Sequence, residues 1–114
     1  MFPPCCKIVA ALQKTAKGFD VTQTSNTLVD VAAPGFEIIS ANASGGLSSR
    51  DGTSAAAPHV AGIAALWAQR QLKTLGNIDS NLLTSQLINS GTRYLINTAV
   101  TQDDVGTGLV QAPL

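Results

Sequence analysis

Between Ser54 and Leu72 the sequence reads as one long helix. Its first half is almost entirely small, with Ala55, Ala56, Ala57, Ala61, Gly62, Ala64 and Ala65. A helix that is small or apolar on every side is expected to be buried on every side, because it has no polar face to offer water. The last turns become amphipathic at Gln69, Arg70 and Gln71. Such a helix needs cover, and the remaining residues should supply some of it.

Short apolar runs do lie on either side of it. Ile8 to Leu12, between Lys7 and Gln13, reads as a buried strand. Lys14 to Thr27 is polar and reads as a loop, with an edge strand around Phe19 to Thr22. Leu28 to Ala32 is a strand stopped by the turn pair Pro34-Gly35. Phe36 to Ala41 is a third, and Leu47 to Arg50 follows the Ser44-Gly45-Gly46 turn. A second helix runs from about Asp79 to Asn89, with Leu82, Leu83 and Leu87 on one face and Ser90-Gly91 closing it. Val105 to Val110 reads as a last strand. Strands alternating with helices imply an α/β layer arrangement. No linker or repeat divides the chain, so residues 1–114 are taken as one unit.

Lys plus Arg equals Asp plus Glu at 7 each, and charged residues make up only 12% against 45% hydrophobic. That balance argues against nucleic-acid binding and against an electrostatic membrane anchor. It also predicts low solubility for the isolated chain. The longest apolar stretch, Val60 to Ala68, is broken by Gly62 and falls short of the roughly 20 residues a membrane span needs. Met1 to Cys6 has neither the charged start nor the long apolar core of a signal peptide. Cys5 and Cys6 are adjacent, which strains a bridge between them, and two thiols with a distant His59 do not make a zinc site. They read as reduced thiols. No metal or cofactor is assigned, and the compartment is left open.

The chemistry lies in Gly52-Thr53-Ser54-Ala55-Ala56-Ala57-Pro58-His59-Val60-Ala61-Gly62. Physically this is a glycine turn that delivers a serine onto the start of the helix. First-turn N–H groups have no partner inside a helix and point outward with the positive end of its dipole. An oxyanion forming beside Ser54 would meet that N–H. By itself, a serine at a helix start is most often just a cap.

These eleven residues resemble the signature of the subtilisin-like serine proteases, Gly-Thr-Ser-x-Ala-x-Pro-His-Val-Ala-Gly, at every fixed position. Asp30-Val31-Ala32-Ala33-Pro34-Gly35 resembles the family's Asp-Val-x-Ala-Pro-Gly segment. Gly106-Thr107-Gly108-Leu109-Val110 resembles its closing Gly-x-Gly-Leu-Val/Ile strand, and Ile8 to Ala11 its core strand. The resemblance implies the C-terminal part of a peptidase domain. It implies a partial three-layer α/β fold, a parallel sheet with a central buried helix starting at the nucleophile. It also implies acyl-enzyme peptide hydrolysis, with Ser54 as nucleophile and oxyanion donor, Thr53 assisting, and Gly52 bordering the substrate channel.

The family's aspartate and histidine motifs, Asp-Thr/Ser-Gly and His-Gly-Thr, do not occur here, nor does its oxyanion asparagine loop. His59 follows Ser54 by five residues, about 140° around the helix at ~100° per residue, so the two side chains diverge. The resemblance makes His59 structural. Asp20, Asp30, Asp51 and Asn42 read as turn and strand-edge polarity. The expectation is a serine endopeptidase fragment that is inactive alone. Its partners would be a peptide or protein substrate and a chain supplying the missing Asp, His and Asn. The alternatives are a non-catalytic binding or structural remnant, and one half of a two-chain protease.

Overall fold

The structure is a computed structural model and describes residues 8–114 except Thr24 and Asn26. The adjacent thiols Cys5 and Cys6 and the N-terminal reading lie outside the described residues. Among the described residues, five strands and three helices follow in the order β1 (Val9–Thr15), β2 (Gly18–Val21), β3 (Val31–Pro34), β4 (Ile38–Ala41), β5 (Leu47–Arg50), α1 (Thr53–Leu75), α2 (Ser80–Asn89) and α3 (Gln102–Val105). No described helix is long and apolar enough to cross a membrane.

The core is organised by β1. Its first half, Val9 to Leu12, is buried on both faces, whereas Gln13, Lys14 and Thr15 run outward into water. The buried half pairs in parallel with β3, from Val9 opposite Val31 to Leu12 opposite Pro34. The polar half turns back on β2 as an antiparallel hairpin, so the sheet order is β2-β1-β3. The parallel pair expected of the fold is present, and the polar end of β1 makes the sheet mixed. β4 and β5 form a separate hairpin, from Ile38 opposite Arg50 to Ala41 opposite Leu47.

Side chains alternate across a strand with period two. Val9, Ala11, Val31 and Ala33 therefore share one face and pack with Ala56, Val60, Leu87 and Val110. Ala10, Leu12 and Ala32 share the other, with Val29, Ile96, Val100 and Val105. Burial of both faces is what a parallel pair requires. The result is three layers, with α1 and α2 on one side of the sheet and the segment from Ile96 to Val105 on the other.

The two family-like segments outside the serine motif meet in this core. Ala32 N–H donates to the Gly108 carbonyl (2.9 Å), Val110 N–H to Ala32 (3.1 Å), and Thr107 N–H to Asp30 (3.1 Å). The expected strand from Val105 to Val110 is shorter in fact. Val105 ends the turn of α3, Gly106 follows with φ +59°, and only Leu109 forms isolated bridges to Ala32 and Thr92. The alternating glycines break the strand because each makes a close backbone approach instead of a ladder.

Helix α1 is longer than expected, by one residue at its start and three at its end, where Gly76 closes it in the left-handed region. All-round burial is not found. Ala55, Ala56, Val60 and Gln71 are buried, while Ala57, Pro58, Ala61, Gly62, Ala65 and Leu66 are exposed. The described elements cover one side of α1 only. Further along, Trp67 Nε1–H donates to the Gln111 carbonyl (2.9 Å), tying the C-terminal segment across the helix.

Gln71 is a buried polar side chain, 1% exposed. Its Nε2 donates to Gln86 Oε1 (2.8 Å) on α2, and its Oε1 accepts from Asp79 N–H (2.8 Å). Asp79 in turn caps α2, accepting from Asn81 and Leu82 N–H through Oδ1. One side chain thus sets the entry angle of the second helix. Gln71→Ala leaves the Asp79 N–H and Gln86 without partners and should cost about 1–3 kcal/mol, read as a lower urea midpoint. Faster amide exchange in α2 than in β1 should accompany it, and an unchanged midpoint would show that the lock does not matter.

Candidate active site

The approach to Ser54 is set by two glycines. Gly52 N–H donates to the Gly35 carbonyl (2.7 Å), and Gly35 N–H donates to the Leu12 carbonyl (2.8 Å) at the end of the buried half of β1. The loop before α1 is therefore hung directly from the core sheet. A Cβ on Gly35 would lie 2.6 Å from Ala11 Cβ and 2.8 Å from the Gly52 oxygen. No real side chain tolerates contacts that short. Gly52 has φ +100°, a backbone conformation that glycine alone adopts readily.

A second tie runs alongside. Asp51 Oδ1 accepts from Glu37 N–H at 2.7 Å, and Glu37 itself sits at φ +53°. Positive φ in a non-glycine residue costs of order 1 kcal/mol and persists only where the surroundings enforce it. Here the carboxylate of Asp51 does so. Asp51 is turn polarity, as its sequence context implies, and the turn it binds is the distant one that begins at Pro34-Gly35.

Beyond these ties, Thr53 opens α1 half-buried and Ser54 follows it exposed to solvent. Gly52 is the N-cap and offers no side-chain cap bond, and no acidic residue occupies the first turn. The Gly52 carbonyl accepts the N–H groups of Ala55 (3.1 Å) and Ala56 (3.2 Å). Thr53 and Ser54 have no acceptor earlier in the helix. The end of α1 is thus an uncapped positive pole with an exposed hydroxyl beside it, an arrangement that can receive developing negative charge.

Pro58 is the sixth residue of α1, past the first turn. It has no N–H to give to the carbonyl four residues back, which is that of Ser54. The helix gives up a bond at this residue and continues through it without a break.

The sequence motif does not bring Ser54 and His59 together. His59 Nδ1 lies 3.1 Å from the Ala55 carbonyl one turn back on the same helix. A carbonyl only accepts, so Nδ1 carries the proton and the ring is tied to its own backbone. The imidazole instead borders a depression of about 250 Å³ with Ile38, Ile39, Ser40, Arg50, Ala55 and Pro58. A second depression of about 310 Å³ involves Gln13, Thr22, Gln23, Phe36 and Asp51. Ser54 lines neither. Among the described residues, no cluster of three or more His, Cys, Asp or Glu side chains could hold a metal ion.

A three-layer α/β fold, with a long helix begun on a loop hung from the parallel pair and an exposed serine at its second residue, has the architecture of part of a subtilisin-like domain. Sequence and structure comparisons agree. Residues 8–109 match the subtilase family, and the chain belongs to that family. It is 60% identical over 37 residues to subtilisin-like protease 1 of Trichophyton rubrum, a match covering 32% of this chain and 7% of that protein. It is 40% identical over 65 residues to subtilisin-like protease 4 of Arthroderma gypseum, covering 55% and 15% respectively. Fervidolysin from Fervidobacterium pennivorans, a keratinolytic enzyme related to subtilisin, superposes on 96% of the chain with TM-score 0.74 and 27% identity, using 18% of its own length. The patellamide maturation protease PatA superposes on 95% with TM-score 0.76 at 24% identity, using 40% of its length, a likeness of fold alone. The matches thus take up between 7% and 15% of these two fungal relatives.

The glycine contacts make a paired prediction. Gly35→Ala must push the Gly52 carbonyl away and should destabilise by about 1–3 kcal/mol. Gly62→Ala meets open space on α1 and should instead stabilise by roughly 0.5–1 kcal/mol. Denaturation midpoints moving in opposite directions would bear this out, and a neutral Gly35→Ala would contradict it.

Proposed function

We propose that this chain is the nucleophile-bearing part of a subtilisin-like serine endopeptidase. In this reading it hydrolyses peptides only when polypeptide outside these 114 residues supplies an aspartate, a histidine and an oxyanion asparagine. The observation that carries the reading is the exposed Ser54 at the uncapped N-terminus of α1, inside an eleven-residue family signature. The family membership supports it.

The chemistry follows from that position. A supplied imidazole removes the Ser54 proton, because a serine hydroxyl is a weak nucleophile until a base does so. Ser54 Oγ attacks the peptide carbonyl carbon, and the carbonyl oxygen becomes an oxyanion. The Ser54 N–H and the supplied asparagine amide bond that oxygen, with the field of α1 adding to them. Thr53 stands beside this hole, and Gly52 leaves room for the substrate backbone. The imidazolium then protonates the leaving amine, and water releases the acyl group by the same steps in reverse. No side chain in this chain substitutes for the base. His59 is the only histidine, and its ring is turned back to Ala55.

The test uses the purified chain, its Ser54→Ala variant and a fluorophosphonate probe. The chain alone should label no faster than Ser54→Ala. Labelling should appear when the part of subtilisin-like protease 1 of Trichophyton rubrum that precedes its counterpart of residues 8–109 is added. Ser54-dependent labelling or peptide turnover by the chain alone would reveal a base within it and overturn the reading. A mixture that forms a complex yet never labels would remove Ser54 as the nucleophile.

A further inference from the structure

The turn between β4 and β5 carries Asn42-Ala43-Ser44, an asparagine with a hydroxyl residue two positions on and no proline between. No other asparagine of the chain has a serine or threonine at that spacing. This is the acceptor pattern for an N-linked oligosaccharide. Three such residues recur by chance in many chains, and only a surface position can hold a bulky glycan once the chain has folded.

The hairpin puts the pattern at such a position. Asn42 N–H donates to the Gly46 carbonyl (3.0 Å), and Gly45 N–H donates to the Asn42 carbonyl (3.2 Å). Ala43 and Ser44 are therefore the central residues of a β-turn, followed by Gly45 at φ +98° and Gly46 at φ +75°. All four are exposed. A Cβ on Gly45 or Gly46 would meet nothing within 4 Å, so the space around the tip is open. Asn42 itself is half-buried, and its Oδ1 accepts from Ser48 Oγ at 2.8 Å. That bond fixes the amide by its oxygen. Nδ2, the atom that would carry a sugar, has no acceptor among the described residues.

We propose that Asn42 is an N-glycosylation site. The donor is an oligosaccharide carried on a polyisoprenyl pyrophosphate and presented by a transferase in a secretory lumen. A bond forms between Asn42 Nδ2 and the anomeric carbon of the first sugar. The bond from that carbon to the pyrophosphate oxygen breaks, and the pyrophosphate leaves with the electron pair. One Nδ2 proton passes to a base of the transferase, and nothing is oxidised or reduced. The Ser44 hydroxyl is the group the transferase reads beside the amide. After transfer Oδ1 is still a carbonyl oxygen, so Ser48 keeps its acceptor. The four residues of β5 span roughly 13 Å at ~3.3 Å each, so the glycan stands away from the loop that leads to Ser54. The site is filled whether or not Ser54 acts as a nucleophile. It adds solvated mass to a chain of zero net charge.

The chain is translated in a cell-free system containing rough microsomes, with a cleavable secretion leader placed before Met1. Only protease-protected chains are scored, so a failure of import does not count. The wild-type chain should gain one oligosaccharide, seen as a single mobility shift that peptide N-glycosidase reverses. Release in heavy-oxygen water should leave a labelled aspartate in place of Asn42, located by mass spectrometry. Ser44→Ala, which leaves the Asn42–Ser48 bond intact, should abolish the shift, as should Asn42→Gln, and Ser44→Thr should retain it. Protected chains without a shift, a shift that survives Ser44→Ala, or a label at another asparagine would each overturn the proposal. Glycosylated and bare chains are then compared by amide exchange. Because the tip is open, rates across β1 and β3 should agree within about threefold. A larger acceleration in the glycosylated form would show that Asn42 does not face outward and would overturn the proposal as well.

Discussion

The backbone contact between Gly35 and Gly52 is the constraint on which the rest depends. It joins the end of β3 to the start of α1 by a single 2.7 Å hydrogen bond, with no side chain between them. A Cβ on Gly35 would lie 2.8 Å from the Gly52 oxygen, and Gly52 sits at φ +100°, so both positions call for glycine. Through Gly35 N–H and the Leu12 carbonyl, the contact is continuous with the parallel pair of β1 and β3. The position of Ser54 is therefore inherited from the most buried strands in the molecule. The Asp51 carboxylate holding Glu37 at positive φ reinforces the same loop from outside.

A serine held this firmly is half of a mechanism. Covalent catalysis needs a hydroxyl fixed in direction, donors aimed at the oxyanion, and a base within hydrogen-bond reach. The first two are properties of the helix start: an uncapped glycine N-cap, no acidic residue in the first turn, and a hydroxyl exposed at its second residue. Under the proposed function, the third comes from polypeptide on the side of α1 that the described elements leave open. The sheet takes the side of Ala56 and Val60, and the opposite side, which carries Ser54, stays open. The open face of α1 and the exposed hydroxyl of Ser54 thus coincide.

Much of this was legible in the residues, and the reasons differ by element. β5 was read at its observed limits because a glycine turn and the Asp51-Gly52 loop bracket it. The start of α1 was legible from Gly52 and the alanines after it. Strand β3 was read three residues early, since Leu28 and Val29 look like strand residues. Leu28 in fact has φ +56°, and Val29 leaves the ladder to pack with Val105. The all-round burial of α1 failed for a different reason. Small residues report that something must pack closely, not whether these 114 residues contain it. Gln71 looked like the polar edge of an amphipathic turn, yet it is buried. Its partners, Gln86 and the Asp79 N–H, are neighbours only in three dimensions. Periodicity carries no information about such pairs.

Amide hydrogen exchange at two residues tests the central claim most directly. If the Gly35–Gly52 contact presets an open helix start, Gly52 N–H is bonded and buried, while Ser54 N–H is left to solvent. Gly52 should then exchange about a hundredfold more slowly than Ser54, with protection near that of the β1–β3 ladder. Equal and rapid exchange at both residues would mean that the clamp is not formed, and the placement of Ser54 would have to be explained in another way.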